Sequence, residues 1–387
     1  MVMTAGCRLT QRSAARAGAA LVLALLAGTA AAQQIERTEK HAVRIDVLTR
    51  GLEHPWSLAF LPDARMLVTE RPGRLRIVAA DGTLDPEPVS GLPQAVSENG
   101  QGGLHDVVLH PEFARNALVY LAYAGKGEGG HGTELARGRL QGNRLIDTQV
   151  IFKALPKSRG GRHFGGRIVF DGAGHVLLGL GDRGDMPRAQ RLDDHAGSVI
   201  RLNEDGTVPA DNPFVTVAAA RPEIFTYGNR NVQGAAINPW SGALWTHEHG
   251  PQGGDEINII RAGRNYGWPV ITHGVNYGIG TRIGEGTHKA GMEQPLYYWD
   301  PSIAPSGMAF YDGERFARWK GNLLVGALKY RLLVRLELDG DKVLREERML
   351  EDRVGRIRDV RVGPDGYVYL LSDESDGVIA RLGPASP

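Results

Sequence analysis

Residues 167–180 read Arg167-Ile-Val-Phe-Asp-Gly-Ala-Gly-His-Val-Leu-Leu-Gly-Leu180: an apolar run, a turn on Asp-Gly, and a second apolar run. Each run is too short for a stable helix, and Asp-Gly tolerates the positive φ of tight turns, so the stretch predicts two antiparallel strands. The unit recurs five more times. It reads Trp56-Ser-Leu-Ala-Phe-Leu-Pro-Asp-Ala-Arg-Met-Leu-Val-Thr-Glu70 followed by Arg74-Leu-Arg-Ile-Val78, and Val107-Val-Leu-His-Pro-Glu-Phe113 followed by Leu118-Val-Tyr-Leu-Ala-Tyr123. The later copies are Ala235-Ala-Ile-Asn-Pro-Trp-Ser-Gly-Ala-Leu-Trp-Thr246, Met308-Ala-Phe-Tyr-Asp-Gly313 with Asn322-Leu-Leu-Val-Gly-Ala327, and Asp359-Val-Arg-Val-Gly-Pro-Asp-Gly-Tyr-Val-Tyr-Leu-Leu371.

The turns fall at Pro62, Pro111, Asp171, Pro239, Asp312 and Pro364, spaced by 49, 60, 68, 73 and 52 residues. Six units of about 60 residues fill the chain, which predicts an all-β, six-bladed β-propeller closed on itself over residues 41–385. Long helical periodicity is absent, which argues against an α/β fold. Glycine is 52 of 387 residues, and much of that excess belongs to blade turns such as Asp-Gly at 81–82, 205–206 and 365–366.

The first 32 residues have the order of a secretory signal: Arg8, Arg12 and Arg16, an apolar run from Ala17 to Ala27, then Ala30-Ala31-Ala32 before Gln33. The expectation is an exported, periplasmic protein cleaved near Ala32, with residues 33–40 as an N-terminal extension. The apolar run is short for a membrane span. The single cysteine, Cys7, would leave with the signal, which removes disulfides, thiolate nucleophiles, Cys-ligated zinc, iron–sulfur clusters and covalent haem from consideration. A net charge of +1 gives no whole-chain preference for nucleic acid or an anionic membrane.

Four loops carry chemistry. Gly100-Gln101-Gly102-Gly103 allows close backbone approach beside an amide that both donates and accepts. His163, between paired glycines in Gly160-Gly-Arg-His-Phe-Gly-Gly-Arg167, suits a general base. Gly179-Leu-Gly-Asp-Arg-Gly184 matches a dinucleotide fingerprint formally, but Pro187 and a polar stretch follow where a helix is needed. Asp182 in that segment can orient a base or bind a ligand. The fourth region runs through Tyr227-Gly-Asn-Arg-Asn-Val-Gln-Gly234, His247-Glu-His-Gly-Pro-Gln-Gly-Gly-Asp-Glu-Ile-Asn258 and Asn265-Tyr-Gly-Trp-Pro269. There Arg230 and Asn231 pair a cation with an amide, and Gly250, Gln252, Asp255, Glu256 and Asn258 offer oxygens of the kind Ca²⁺ prefers. His247 and His249 lack a matching third ligand for zinc.

These segments, taken together and in order, resemble the glucose/sorbosone dehydrogenase family over roughly His41 to Leu382, with its periplasmic aldose sugar dehydrogenases dependent on pyrroloquinoline quinone as the nearest branch. The resemblance implies oxidation of a cyclic aldose to its lactone, by hydride transfer to the quinone and onward passage of electrons to an external acceptor. It makes His163 the base, with Asp182 beside it and Arg230 stabilising charge on the quinone oxygen. Gln101, Arg230, Asn231, Lys329, Arg356 and Arg358 become cofactor contacts, the last three a cationic clamp. Gly250 and Pro251 become carbonyl ligands of the Ca²⁺ that holds the cofactor, and Glu256 and Tyr266 ligands of a second Ca²⁺. The expected partners are a small sugar and the acceptor, with no nucleic acid and no stable membrane insertion, in a monomer or homodimer. Two departures stand out. Arg162 replaces the aspartate that precedes the base in the glucose-oxidising branch. Tyr297-Tyr-Trp-Asp-Pro-Ser-Ile-Ala-Pro-Ser306 aligns loosely with a cofactor-stacking loop, which leaves the place of Trp299 open. A calcium-dependent lactonase-type hydrolase and a non-catalytic carbohydrate-binding propeller are the alternatives, because fold does not fix function.

Overall fold

The computed structural model describes residues 1–3, 34–93 and 100–385. The signal-like segment, apart from its first three residues, lies outside the described residues. The rest forms six antiparallel sheets, the blades of a β-propeller. The six turns found in the sequence all join the first strand of a blade to its second. Blade 1 has three strands, Pro55–Phe60, Met66–Glu70 and Arg74–Val78. Blades 2 to 5 have four each, beginning at Leu104–Leu109, Gly165–Phe170, Val232–Ile237 and Pro305–Phe310.

Blade 6 combines the two ends of the chain. Ile357–Val362, Val368–Ser372 and Gly377–Pro384 are joined by Ala42–Leu52, which pairs antiparallel with Gly377–Pro384 from Val43↔Pro384 to Leu52↔Gly377. This closes the ring and leaves no long unpaired edge between first and last blades. The described part of the expected extension, residues 34–40, does not lie outside the propeller: Gln34–Arg37 adds a fifth strand to blade 6 through Gln34↔Ile45 to Arg37↔Ala42. Glu39 then anchors the segment to blade 5 through ion pairs with Arg335 and Arg345.

Burial follows position in the blade. Second strands such as Met66–Glu70 and Leu323–Ala327 are buried throughout, because a neighbouring blade covers each face. Outer strands such as Lys342–Met349 alternate, as a half-solvated strand should. Every first strand has a break in register near its start: Pro55/Ser57, Leu104/Val107, Gly165/Ile168, Val232/Gly234, Pro305/Met308 and Ile357/Asp359. Such bulges re-aim side chains, and all six occur at one end of the central channel. Deeper in the channel, Arg167 bridges Asp106 (3.3 Å) and Asp359 (3.0 Å), while Arg361 reaches Asp106 (3.0 Å), Asp359 (2.8 Å) and Ser57 (2.9 Å). This paired-charge plug joins blades 1, 2, 3 and 6 and forms a floor below the bulged end.

Candidate active site

The bulged ends of the first strands surround a cavity of about 680 Å³, to which all six blades contribute. That volume lies within the usual range for a small-molecule site. Of the residues that the resemblance makes cofactor contacts, Arg230 lines a separate small void, while Gln101, Asn231, Lys329, Arg356 and Arg358 line this cavity. They are joined by His54, Trp56, Arg71, His105, Phe164, Gln233, His249 and Asp373, which the sequence reading had not singled out for the site.

His163 lies beside this cavity, with its neighbours Phe164 and Gly165 in the wall. Its φ of 53° is left-handed, a conformation that costs a non-glycine residue about 1–3 kcal/mol and that persists only where surroundings enforce it. The enforcement is visible. The guanidinium of Arg183 donates to the carbonyls of Arg162 and Gly160 and stacks 3.4 Å above the Phe164 ring. The backbone N–H of His163 donates to Gln101 Oε1 at 2.8 Å. Its ring Nδ1 pairs with Asp182 Oδ1 at 2.6 Å.

Asp182 is fully buried. Its Oδ1 also accepts the N–H of Gly184 (2.7 Å), and its Oδ2 accepts the indole N–H of Trp268 (2.8 Å). Burial pushes the Asp182 carboxyl up, but the hydrogen bond and charge of His163, the Gly184 N–H and Arg230 outweigh it and leave the group below its ordinary range. Burial pulls His163 below the usual imidazole range, against the Asp182 hydrogen bond and with help from Arg230 and Arg162. An ionised Asp182 assigns the proton to Nδ1 and leaves Nε2 as the basic nitrogen.

Arg230 stands on the next blade. Its guanidinium donates to the His249 carbonyl (2.9 Å) and lies 5.3 Å from the Trp268 ring centroid. Its backbone carbonyl accepts the Asp182 N–H (2.8 Å). Asn231 Oδ1 accepts the Gly165 N–H (3.1 Å), stapling blade 3 to blade 4. Across the cavity, Arg358 donates to Gln233 (3.1 Å) and to Asp373 (2.9 Å), and Asp373 also pairs with His54 Nδ1 (2.9 Å). Arg356 donates to the Leu328 carbonyl (3.3 Å). Lys329 has an exposed ammonium with no carboxylate partner among the described residues. With Arg71, four cations line one cavity.

The predicted metal residues divide. Gly250, Glu256 and Tyr266 surround a void of about 10 Å³ together with Glu248, Arg230 and Trp268, while Pro251 does not line it. Gly253 and Gly254, both left-handed, crowd their carbonyls onto Gly250, where an added Cβ would meet Gly253 O and Gly254 O at 2.3 Å. Burial pushes Glu248 up to about 7, and burial together with the Glu248 charge pushes Glu256 up. Two closely placed carboxylates around a small void, beside crowded carbonyls, form an oxygen donor set that fits Ca²⁺, whose charge would favour their ionised forms. Asp255 is a structural pin: its oxygens accept the N–H groups of Gly250 and Ala304, both at 2.8 Å. The Tyr266 hydroxyl is taken by Ile259 O (2.7 Å) and Arg261 N (2.9 Å), so only its backbone carbonyl is left to ligate. No group of three or more His, Cys, Asp and Glu side chains suited to a metal occurs among the described residues.

Trp299 does not reach the cavity. It is buried between blades 4 and 5 and donates its indole N–H to Glu346 (2.8 Å). Trp268, by contrast, sits in the quoted Asn265-Tyr-Gly-Trp-Pro269 motif, but its partner Asp182 is 86 residues away, so no local signal pointed to the contact. Among the described residues no helix is long and apolar enough to cross a membrane.

Comparison with known proteins agrees with this architecture. The family model described as Glucose / Sorbosone dehydrogenase matches residues 52–381. The aldose sugar dehydrogenase YliI of Escherichia coli is 49% identical over 348 residues, covering 88% of this chain and 93% of the relative. The crystal structure of the soluble E. coli aldose sugar dehydrogenase in its apo-form superposes with a TM-score of 0.86 at 48% identity, covering 89% of this chain and all of that one. The PQQ-bound form of an aldose sugar dehydrogenase from Streptomyces coelicolor superposes with a TM-score of 0.72 at 26% identity, covering 89% of this chain and all of that one. Family match, whole-length similarity and shared propeller agree: the chain belongs to the glucose/sorbosone dehydrogenase family and resembles its aldose sugar dehydrogenases.

Proposed function

We propose that the protein oxidises the anomeric carbon of a cyclic aldose to the lactone, with pyrroloquinoline quinone as its cofactor and His163 as general base. The observation that carries this is the pairing of His163 with a buried, ionised Asp182 beside a cavity walled by Arg71, Lys329, Arg356 and Arg358. A planar tricarboxylate needs such fixed cations, and guanidinium grips carboxylate bidentately. Bound there, the quinone would supply the acceptor for the C1 hydride and Ca²⁺ a Lewis acid.

The chain's own part is to orient and to move a proton. Nε2 of His163 takes the proton of the anomeric hydroxyl while the C1–H bond gives up its electron pair and the C1 carbonyl forms. Asp182 holds the imidazole and stabilises its positive charge. Arg230 places a fixed cation near the base. The resemblance would place the cofactor's Ca²⁺ on the Gly250 and Pro251 carbonyls and a second ion on Glu256 and the Tyr266 carbonyl, whereas the void groups Gly250 with Glu256 and Tyr266. Electrons then leave to an external acceptor.

The cationic wall disfavours a calcium-dependent hydrolase, since a neutral lactone has no use for four cations. It equally disfavours a carbohydrate-binding scaffold. Export through the segment ending near Ala32 is part of the proposal, checked by N-terminal sequencing of the protein from a periplasmic fraction. The test of the activity is reconstitution: the purified chain should reduce an artificial dye with an aldose only when quinone and Ca²⁺ are both added. Turnover with NAD alone would refute it.

A further inference from the structure

We infer that Trp268 is a positioning residue for the proposed proton transfer: its indole N–H pins the carboxylate that orients the His163 base, and its ring supports Arg230. This assignment rests on the proposed function for its catalytic meaning, but its geometry stands alone.

A buried indole N–H needs an acceptor, and the acceptor here is Asp182 Oδ2 at 2.8 Å. Oδ1 is already shared by His163 Nδ1 (2.6 Å) and the Gly184 N–H (2.7 Å). Trp268 is thus the donor that fixes the second oxygen and, with it, the rotation of the carboxylate. Without that pin the carboxylate could turn about its Cβ–Cγ bond and carry the imidazole with it. The titratable and charged groups facing His163 are Asp182, Arg230, Arg162 and His249, and those facing Asp182 are His163, Arg230, Arg183 and Glu248. Trp268 touches two of these, Asp182 and Arg230.

The loop around Trp268 is built to hold the indole still. The backbone N–H of Trp268 donates to Gly228 O (2.9 Å), and its backbone carbonyl accepts Gln190 Nε2 (2.7 Å). Gln190 and Asn265 exchange two further side-chain hydrogen bonds, at 3.0 and 2.8 Å. Gly228 makes this contact possible, because a Cβ there would stand 2.1 Å from Asn265 Oδ1. The Gly228-Asn-Arg and Asn265-Tyr-Gly-Trp-Pro segments thus lock together, placing Arg230 and Trp268 side by side. Trp268 does not line the main cavity, so its influence on sugar or quinone is indirect.

Trp268→Phe keeps an aromatic ring and removes the donor. One oxygen of a buried anion then lacks its partner, and the uncompensated charge draws a proton more strongly onto His163. Because the base must be neutral, the acidic limb of kcat/KM moves to higher pH. The loosened imidazole lowers kcat by roughly 10- to 100-fold, part of what a positioned base contributes. KM and quinone affinity stay within about 3-fold, since Trp268 touches neither. The second readout needs no turnover: ring ¹⁵N resonances of His163 in the full chain, titrated before quinone is added, should shift in the same direction.

A W268F chain with wild-type kcat, acid limb and His163 titration overturns the assignment, as does one whose losses lie wholly in KM or quinone affinity. If W268F fails to fold, 3-benzothienylalanine at position 268, which carries sulfur in place of the N–H, makes the same test without changing shape. If the wild-type chain shows no quinone-dependent turnover, the proposed function fails, while the His163 titration still decides the role of Trp268.

Discussion

Two histidine–aspartate pairs stand at the cavity, and they are built for different work. His163–Asp182 closes at 2.6 Å and His54–Asp373 at 2.9 Å, and both histidines sit on left-handed backbone. The difference is in what else the carboxylate holds. Asp182 is 1% exposed and takes neutral N–H donors from Trp268 and Gly184, so its charge is left to stabilise an imidazolium. Asp373 is 13% exposed and bound to Arg358, with Arg356 at 4.0 Å. Burial pushes Asp373 up, but Arg358, His54 and Arg356 outweigh it and hold the carboxyl well below its usual range. Its charge is already committed to the cationic clamp. The same pair of residue types therefore leaves one imidazole a carboxylate held only by neutral donors, as the proposed base needs, and gives the other a carboxylate that braces a cation.

The largest test of this contrast removes each histidine. His163→Ala should lower kcat by roughly 10³-fold or more while quinone affinity, read by absorbance titration, is kept. Asp182→Asn should cost about 10²- to 10⁴-fold in kcat, because an amide cannot enforce the Nδ1–H tautomer. A variant of either residue turning over at the wild-type rate would end the base assignment. On the other wall, Arg358→Gln should weaken quinone affinity by about 10- to 100-fold, the value of one charge-assisted contact, with kcat at saturating cofactor nearly unchanged.

The smallest expected catalytic effect is His54→Ala, within about 3-fold in kcat and with an unmoved acid limb. That limb belongs to His163. Since its folded-state value lies below the ordinary imidazole range, activity should be complete at neutral pH and fall only on acidification below about 6.5. A His54→Ala limb that moved would mean that both pairs share the proton.

A separate pH effect concerns stability. Burial pushes His105 down to about 3, against a hydrogen bond to the Gln101 carbonyl. The folded state then binds fewer protons than the unfolded chain between about pH 6.5 and that value, so this contribution to stability is present above 6.5 and lost progressively below it. The thermal midpoint should fall as pH drops from 6.5 toward 4, and His105→Asn should flatten that slope.

Much of the fold is legible because strand period and turn chemistry are local. Asp-Gly and Pro-containing turns mark each first hairpin, and all six fall where expected. What local pattern could not place is the seam. Gln34–Arg37 forms a local hairpin with Ala42–Leu52 across residues 38–41, and only the distant pairing of Ala42–Leu52 with Gly377–Pro384 brings that hairpin into blade 6. The site shows the same division. Clusters such as Gly160-Gly-Arg-His-Phe164 announce unusual backbone, and Arg356 and Arg358 announce charge. Trp268, His54 and Asp373 announce nothing, because each depends on a partner far away in the sequence, brought close by a neighbouring blade. The place of Trp299, open in the sequence, is likewise settled by packing: it lies between blades 4 and 5 and donates its indole N–H to Glu346.

The sequence by itself determined the number of blades, the loops rich in glycine and charge, and the family, since these depend on residue type and spacing along the chain. Only the tertiary structure decided which histidine has a carboxylate free to serve it, which cations share one wall, and which tryptophan holds Asp182. Those depend on distances of a few ångströms between blades, and hydrogen bonding and Coulomb interaction fall off too steeply with distance for any one-dimensional pattern to record them.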